Sequence, residues 1–240
     1  MRVFSGCVHL RVSNAALTAI KCIGIAAMLL DHYNSFVKTE YSPLLYEIGR
    51  LALPLFVFVL GYNLARVPVA KIPKIMLRLL LFGLLATPLY NILDAGLWYW
   101  WPLNILFTLL VACATVYLLA VPVPQRFVIA VRLAALLFFI GAGSMVDYVW
   151  LGPALVVVIW RLSVTASHCE RVSLYSALSL FAVLLCLLNE SLAALLAVPV
   201  IWLSLQFYRD RQLPRMKWFF YWFYPGHLLA LLLLKQLLSG

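Results

Sequence analysis

The sequence predicts an all-α, polytopic integral membrane protein with about nine transmembrane helices and a cytoplasmic N-terminus. Three observations predict it. Of 240 residues, 66% are hydrophobic and only 11% charged, and the mean hydropathy is +1.03; a water-soluble domain of this size cannot bury that much apolar surface. Apolar runs of roughly 18–20 residues recur, the length that crosses a ~30 Å hydrocarbon core, and the alternating segments of about ten residues that mark a spanning barrel do not occur. Finally, Lys and Arg sort strongly to one side of the implied bilayer.

The expected spans, in order, are 16–36, 48–65, 75–93, 103–121, 127–142, 145–161, 172–189, 191–207 and 219–237. The first contains Lys21, lacks a small-residue cleavage site after it and is followed by further spans, so it reads as an uncleaved helix and not a signal peptide. With the N-terminus in the cytoplasm, the inner ends collect Arg2, Arg11, Lys21, Arg66, Lys71, Lys74, Arg78, Arg126, Arg132, Arg161, Arg171, Arg209, Arg211, Arg215 and Lys217. Only Lys38, Arg50 and Lys235 remain outside. This is the positive-inside pattern, and a missed span would scramble it. Asp31, Glu40, Glu47, Asp94, Asp147 and Glu190 fall at outer ends, whereas Glu170 and Asp210 stay inside. Trp98, Tyr99, Trp100 and Trp101 form an expected outer aromatic belt, and Trp218 to Tyr224 an inner one. No linker or repeat divides the chain, so residues 1–240 read as a single transmembrane domain.

The net charge of +10 does not mark a nucleic-acid binder, because the cations are spread over short loops and not clustered on one module. "SHCE", with His168, Cys169 and Glu170, reads as a solvated cytoplasmic loop; one residue of each type makes a poor metal site, and no metal is expected. No P-loop, dinucleotide fingerprint or nucleophile elbow occurs.

The ionisable residues inside the spans need a reason, since each is costly in hydrocarbon. "AAMLLDHYNSF" ends the first span with Asp31 and His32. Neighbouring residues on a helix point about 100° apart, so at most one is expected to look straight into a shared cavity, and His32 is favoured because it exchanges a proton near neutral pH. Two interfacial polar residues closing a helix is the plainer alternative. Arg50 breaks the positive-inside pattern. It either snorkels outward, pairs with Asp31, Glu47 or Asp147, or clamps an oxyanion or carboxylate with its planar fork. In "FYWFYPGHLLAL", Pro225 disfavours helical geometry at Tyr224, so a helix is expected to restart there and leave His227 at the positive end of a half-helix. By rise per residue, His32 and His227 are expected to lie about 12 Å apart along the membrane normal. The basic stretch Arg66, Lys71, Lys74 and Arg78 follows from topology, or else meets the phosphates of a cytoplasmic nucleotide.

Taken in order, "KCIGIAAMLLDH", "IGRLALPLFVFVLGYNLAR", "NILFTLL", "DYVWLG" and "FYWFYPGHLLAL" resemble the TraX family of conjugative pilin acetylases, especially its TrbP-type members. The blocks reach from residue 21 to about 231. The family's motif positions fall on Lys21, Asp31, His32, Arg50, Pro54, Asn104, Tyr148, Gly152, Tyr224, Pro225 and His227. The sequence departs from the family at "LPLF", where "FPxF" is usual, and at Tyr148-Val149, where a Tyr-Gly pair is usual. The second and last blocks also resemble the large family of membrane acyltransferases that modify cell-surface sugars.

The resemblance implies acetyl transfer from acetyl-CoA to the new N-terminal amine of a pilin subunit, in a multi-pass protein of the bacterial inner membrane whose other partners are lipids. Together with the charge map it suggests catalytic roles for His32, Asp31, Arg50 and His227: His32 as general base, Arg50 stabilising the oxyanion or orienting His32 through Asp31, and His227 holding the thioester or relaying the proton. Lys21, Asn104, Tyr148, Tyr224, Arg66, Lys71, Lys74 and Arg78 would hold substrate or donor. The competing class is non-enzymatic, a transporter or pilin assembly factor; a third reading is O-acylation of a surface glycan.

Overall fold

The computed structural model describes residues 12–94, 96, 101–214 and 216–239. Arg2, Arg11, Trp98, Tyr99, Trp100 and Arg215 lie outside them. Among the described residues the regular structure is helical, and the one β-contact is an isolated parallel bridge between Leu103 and Val146. The helices are α1 (Asn14–Phe36), α2 (Pro43–Gly49), α3 (Ala52–Arg66), α4 (Ile72–Asp94), α5 (Ile105–Ala120), α6 (Val128–Gly143), α7 (Leu151–Val164), α8 (His168–Leu188), α9 (Ala197–Phe207) and α10 (Lys217–Ser239).

Each expected apolar segment falls on a helix. Among the described residues, five stretches are long and apolar enough to cross a membrane: Asn14–Phe36, Pro43–Arg66, Val69–Asp94, Gln125–Gly143 and His168–Leu188. The shorter apolar helices are Ile105–Ala120, Leu151–Val164 and Ala193–Phe207. The best apolar window of α1 is 50% buried, but those around α6 and α8 are only 11% buried. A helix that is apolar on its exposed faces requires an apolar surround; on α6, Leu133, Leu136, Leu137 and Ile140 are all exposed.

Local chemistry moves several boundaries from where the sequence places them. The segment expected at 48–65 is two helices. Pro54 has no N–H to give the carbonyl of Arg50, and the chain turns at Arg50 and Leu51 between α2 and α3. The segment expected from 145 becomes helical only at Leu151, because Tyr148 and Val149 take left-handed backbone angles (φ 58° and 47°), which no α-helix accommodates. "SHCE" is not a loop but the first turn of α8. Its Glu170 carboxylate is held by Arg161, with Nη2 donating across 3.0 Å, and by Thr165 Oγ1 at 2.5 Å. The acid therefore sits where a helix N-terminus favours it. Helix α10 does not restart at Pro225; it is continuous from Lys217 to Ser239 with the proline inside.

The described chain forms two compact units. One comprises residues 60–83 and 101–181, the other residues 12–59, 84–94, 96 and 182–239. In the first, α5 packs against α6 and α7. Its buried side includes Thr108, Ala112, Ala114 and Thr115, small residues that let helix backbones approach in a membrane. Asn104 caps α5, accepting from Leu106 N at 3.1 Å, and donates to the Gly83 carbonyl at 3.2 Å. Thr108 donates to the Asp147 carbonyl at 2.8 Å. Directly beneath lies Gly152, where a Cβ would meet Thr108 Cγ2 at 2.6 Å.

In the second unit, α1 is the central element and packs against α2, α9 and α10. Ser13 caps it: Oγ accepts from Ala16 N at 3.0 Å and donates to the Tyr208 carbonyl just past α9 at 2.6 Å. At its other end the buried Asn34 closes a two-bond clamp on Ser42, which precedes α2. Nδ2 donates to Ser42 O at 3.1 Å, and Oδ1 accepts from Ser42 N at 2.8 Å. That clamp folds α2 back along the last turns of α1.

Candidate functional site

The folding back of α2 brings Gly49 against the side chain of Asp31. A Cβ on Gly49 would meet Asp31 Cβ at 2.5 Å, so only glycine permits this approach. Arg50, the next residue, then reaches Asp31. Nη2 donates to Oδ1 at 2.5 Å, with side-chain exposures of 12% for Arg50 and 19% for Asp31. Arg50 is engaged further: Nε donates to the Tyr46 carbonyl at 3.4 Å, Nη1 donates to Asn189 Oδ1 at 3.4 Å, and the guanidinium lies 4.2 Å from the Tyr46 ring centroid. Of the readings open to Arg50 in the sequence, the geometry selects the ion pair with Asp31.

The turn between α8 and α9 is latched at the same place. Tyr46 Oη donates to the Asn189 carbonyl at 2.7 Å, and Ser191 Oγ bonds the Glu47 carboxylate. Glu190 between them has φ 50°, the left-handed geometry of a tight reversal.

His32 follows Asp31 but faces a different neighbour. Its Nδ1 lies 2.8 Å from His227 Nε2, and His227 Nδ1 lies 3.0 Å from the Phe223 carbonyl. The expected offset of about 12 Å between the two histidines is therefore absent. That expectation set both helices flush with the membrane. In the fold, His32 sits near the end of α1 and His227 before the middle of α10, so the parallel helices are staggered by about that distance. Lys21 with its Nζ 4.6 Å over Phe220 repeats the contact of α1 and α10 in the same order. Nor does only one of Asp31 and His32 find a polar partner. The 100° between them points one at Arg50 and the other at α10.

The acceptors fix where the protons are. A carbonyl oxygen only accepts, so His227 Nδ1 carries hydrogen and Nε2 of the neutral ring is a lone pair. His32 Nδ1–H donates to that lone pair, which leaves His32 Nε2 as an acceptor. Among the described residues nothing hydrogen-bonds His32 Nε2, and the residue is half-buried. Aromatic rings wall the pair. Phe36 lies 5.3 Å from His32, Phe223 is stacked at 5.1 Å on His227, and the buried Tyr224 stands edge-on to His227 at 5.3 Å. The arrangement is a directional two-imidazole chain with one open end, suited to taking up and passing a proton.

The other sequence-predicted site residues are placed as follows. Lys21 and Tyr224 belong to the unit that carries the histidines. Asn104 and Tyr148 belong to the other unit, where Asn104 is committed to helix capping and the Gly83 tie. Arg66, Lys71 and Lys74 are exposed around the connection from α3 to α4, with Arg66 5.5 Å over the Tyr62 ring, and Arg78 is half-buried one turn further along α4. Sequence reasoning missed Asn189, Tyr46 and Gly49. Gly49 had a signal in the "IGR" block; Asn189 had none beyond being a polar residue in a short turn.

Comparison with known proteins adds to this geometry. A family model described as TraX protein matches residues 16–235. Protein TraX of Escherichia coli is 32% identical over 219 residues, covering 88% of this chain and 84% of that protein. No solved structure matches the chain.

Proposed function

The chain belongs to the TraX family, and from that premise we propose that it is a membrane-bound N-acetyltransferase of conjugation, moving an acetyl group from acetyl-CoA to the N-terminal amine of a pilin subunit. It would do so in the bacterial inner membrane, crossing nine times from a cytoplasmic N-terminus. One observation carries the reading: the hydrogen-bond chain from His32 Nδ1 to His227 Nε2 at 2.8 Å and from His227 Nδ1 to the Phe223 carbonyl at 3.0 Å.

Acetylation of an amine must dispose of a proton. As the nitrogen attacks the thioester carbonyl carbon, the C–N bond forms and His32 Nε2 takes the proton from nitrogen. The C–S bond breaks, and the departing thiolate recovers that proton from the imidazolium. While His32 is charged, its Nδ1–H leans on His227 Nε2, and the Phe223 carbonyl orients His227 for that task. A positioned base of this kind is worth about 10²–10⁴-fold. Asp31 and Arg50 act behind the base. Arg50 is held by Asp31, Asn189 and Tyr46, so its part is to fix the last turns of α1 and, through them, His32. Tyr224 stands edge-on to His227 and Lys21 lies further along α1, over Phe220; both are assigned to the acceptor. Arg66, Lys71, Lys74 and Arg78 are assigned to the phosphates of the donor.

The test is mass spectrometry of mature pilin from cells with and without this protein. One added acetyl group that depends on the protein is the expected result. His32→Ala should remove it, and His227→Gln should slow its appearance, while both variants reach the membrane at normal levels. A pilin mass that does not respond to the protein overturns the reading, and full acetylation by His32→Ala overturns the role of that residue.

A further inference from the structure

In the second unit a groove of about 340 Å³ runs beside α1 and α9. It is lined by Ile23, Val200, Leu203, Ser204, Phe207, Tyr208 and Arg211. Val200, Leu203, Ser204 and Phe207 follow the three- and four-residue spacing of a single helix face, so the apolar part extends along about two turns of α9. Ser204 does not make it polar, because its hydroxyl turns inward and donates to the Val200 carbonyl at 2.7 Å.

The groove ends where the chain turns polar. α9 stops at Phe207, and Tyr208, Arg209, Asp210 and Arg211 follow. The Arg211 guanidinium lies 5.9 Å from the Tyr208 ring centroid. The ion pairs among the described residues are Arg50–Asp31 and Arg161–Glu170, so the charge of Arg211 is not matched by an acid there. The apolar groove thus terminates in an aromatic ring and an arginine that forms no ion pair among the described residues, at the point where an apolar helix gives way to a polar turn.

We propose that this groove is a binding site for one anionic phospholipid, with an acyl chain laid along α9 against Ile23 and the phosphate set on Arg211. Arginine meets phosphate with two parallel N–H···O bonds, and basic residues at a membrane surface draw anionic headgroups. Tyr208 suits the headgroup level, where amphipathic rings gather. Leu203, Phe207 and Val200 supply a chain-shaped wall but no charge, so the tail adds residence and Arg211 adds selectivity. The site uses none of the residues assigned to acetyl transfer, and it stands or falls without that assignment.

The full-length protein, purified and equilibrated with phosphatidylglycerol or phosphatidylcholine, is read by native mass spectrometry for retained lipid. Phosphatidylglycerol should be kept preferentially at one copy per chain, and raised salt should weaken it. Arg211→Gln should cut the preference about five-fold, Arg211→Lys should retain part of it, and Leu203→Trp should expel the lipid by filling the slot with Arg211 intact. Circular dichroism shows that each variant is folded. Equal retention of the two lipids, unchanged selectivity in Arg211→Gln, or full retention in Leu203→Trp each overturns the proposal. So does a dimer that closes the groove between two copies of the chain.

Discussion

Asp31 and His32 are neighbours in sequence, yet each is occupied by a different part of the fold. Asp31 is taken by Arg50 across 2.5 Å and His32 by His227 across 2.8 Å. What permits the first contact is a missing atom: the side chain that Gly49 does not have. Gly49→Ala should therefore destabilise the protein by about 1–3 kcal/mol, the usual cost of overpacking. The colliding atom, Asp31 Cβ, is fixed to the backbone of α1 and cannot swing aside. Thermal unfolding in detergent checks this, and an unchanged midpoint would mean that α2 does not press on α1 so closely. The residue types at this site were legible in the sequence, because ionisable groups at the ends of apolar runs stand out. Their pairing was not. Nothing local tells Arg50 to choose Asp31, 19 residues away along the chain, over Glu47, which lies within one helical turn.

At the scale of elements, prolines and polar turns decide where helices stop and what holds them. Pro54 separates α2 from α3, although Pro225 leaves α10 continuous. The difference lies in the neighbours. The turn at Arg50 is held by the Asp31 pair and the Tyr46 contacts, so the broken backbone has somewhere to go. In α10 Pro225 withholds an N–H from the Tyr221 carbonyl in the same way, yet the helix runs on through it. The turn between α8 and α9 is latched by Tyr46 Oη on the Asn189 carbonyl at 2.7 Å and by Asn189 Oδ1 on Arg50. Tyr46→Phe should cost about 0.5–1.5 kcal/mol and Asn189→Ala about 1.5–3 kcal/mol, as expected for a neutral and a charge-assisted hydrogen bond. Because the two residues share one latch, the double variant should lose less than the sum of the single losses. Strict additivity in thermal or denaturant unfolding would show that the bonds act independently.

For the molecule as a whole, the exposed apolar faces of α6 and α8 and the sorting of Lys and Arg point to the same surroundings. The proposed topology makes a sharp prediction. In a protein otherwise free of cysteine, one restored at Cys169, which is exposed on the first turn of α8, should be shielded from a membrane-impermeant thiol reagent in intact cells. One introduced by Glu190→Cys, beyond the other end of α8, should react. Identical labelling of the two positions would remove either the orientation or the crossing by α8.

By itself the sequence determined that the chain is helical and apolar enough for a membrane, roughly where each helix lies, and which ionisable residues require an explanation. Composition and apolar run length suffice for that, because they are set by the solvent in which the chain must hide its backbone. Tertiary structure alone decided that α10 stands staggered beside α1, which puts His227 against His32, and that α2 folds back to give Arg50 to Asp31. Those contacts depend on how far one helix slides along another. That displacement is fixed by the summed packing of many small side chains, such as Gly49 and the clamp at Asn34, and no local stretch of residues encodes it.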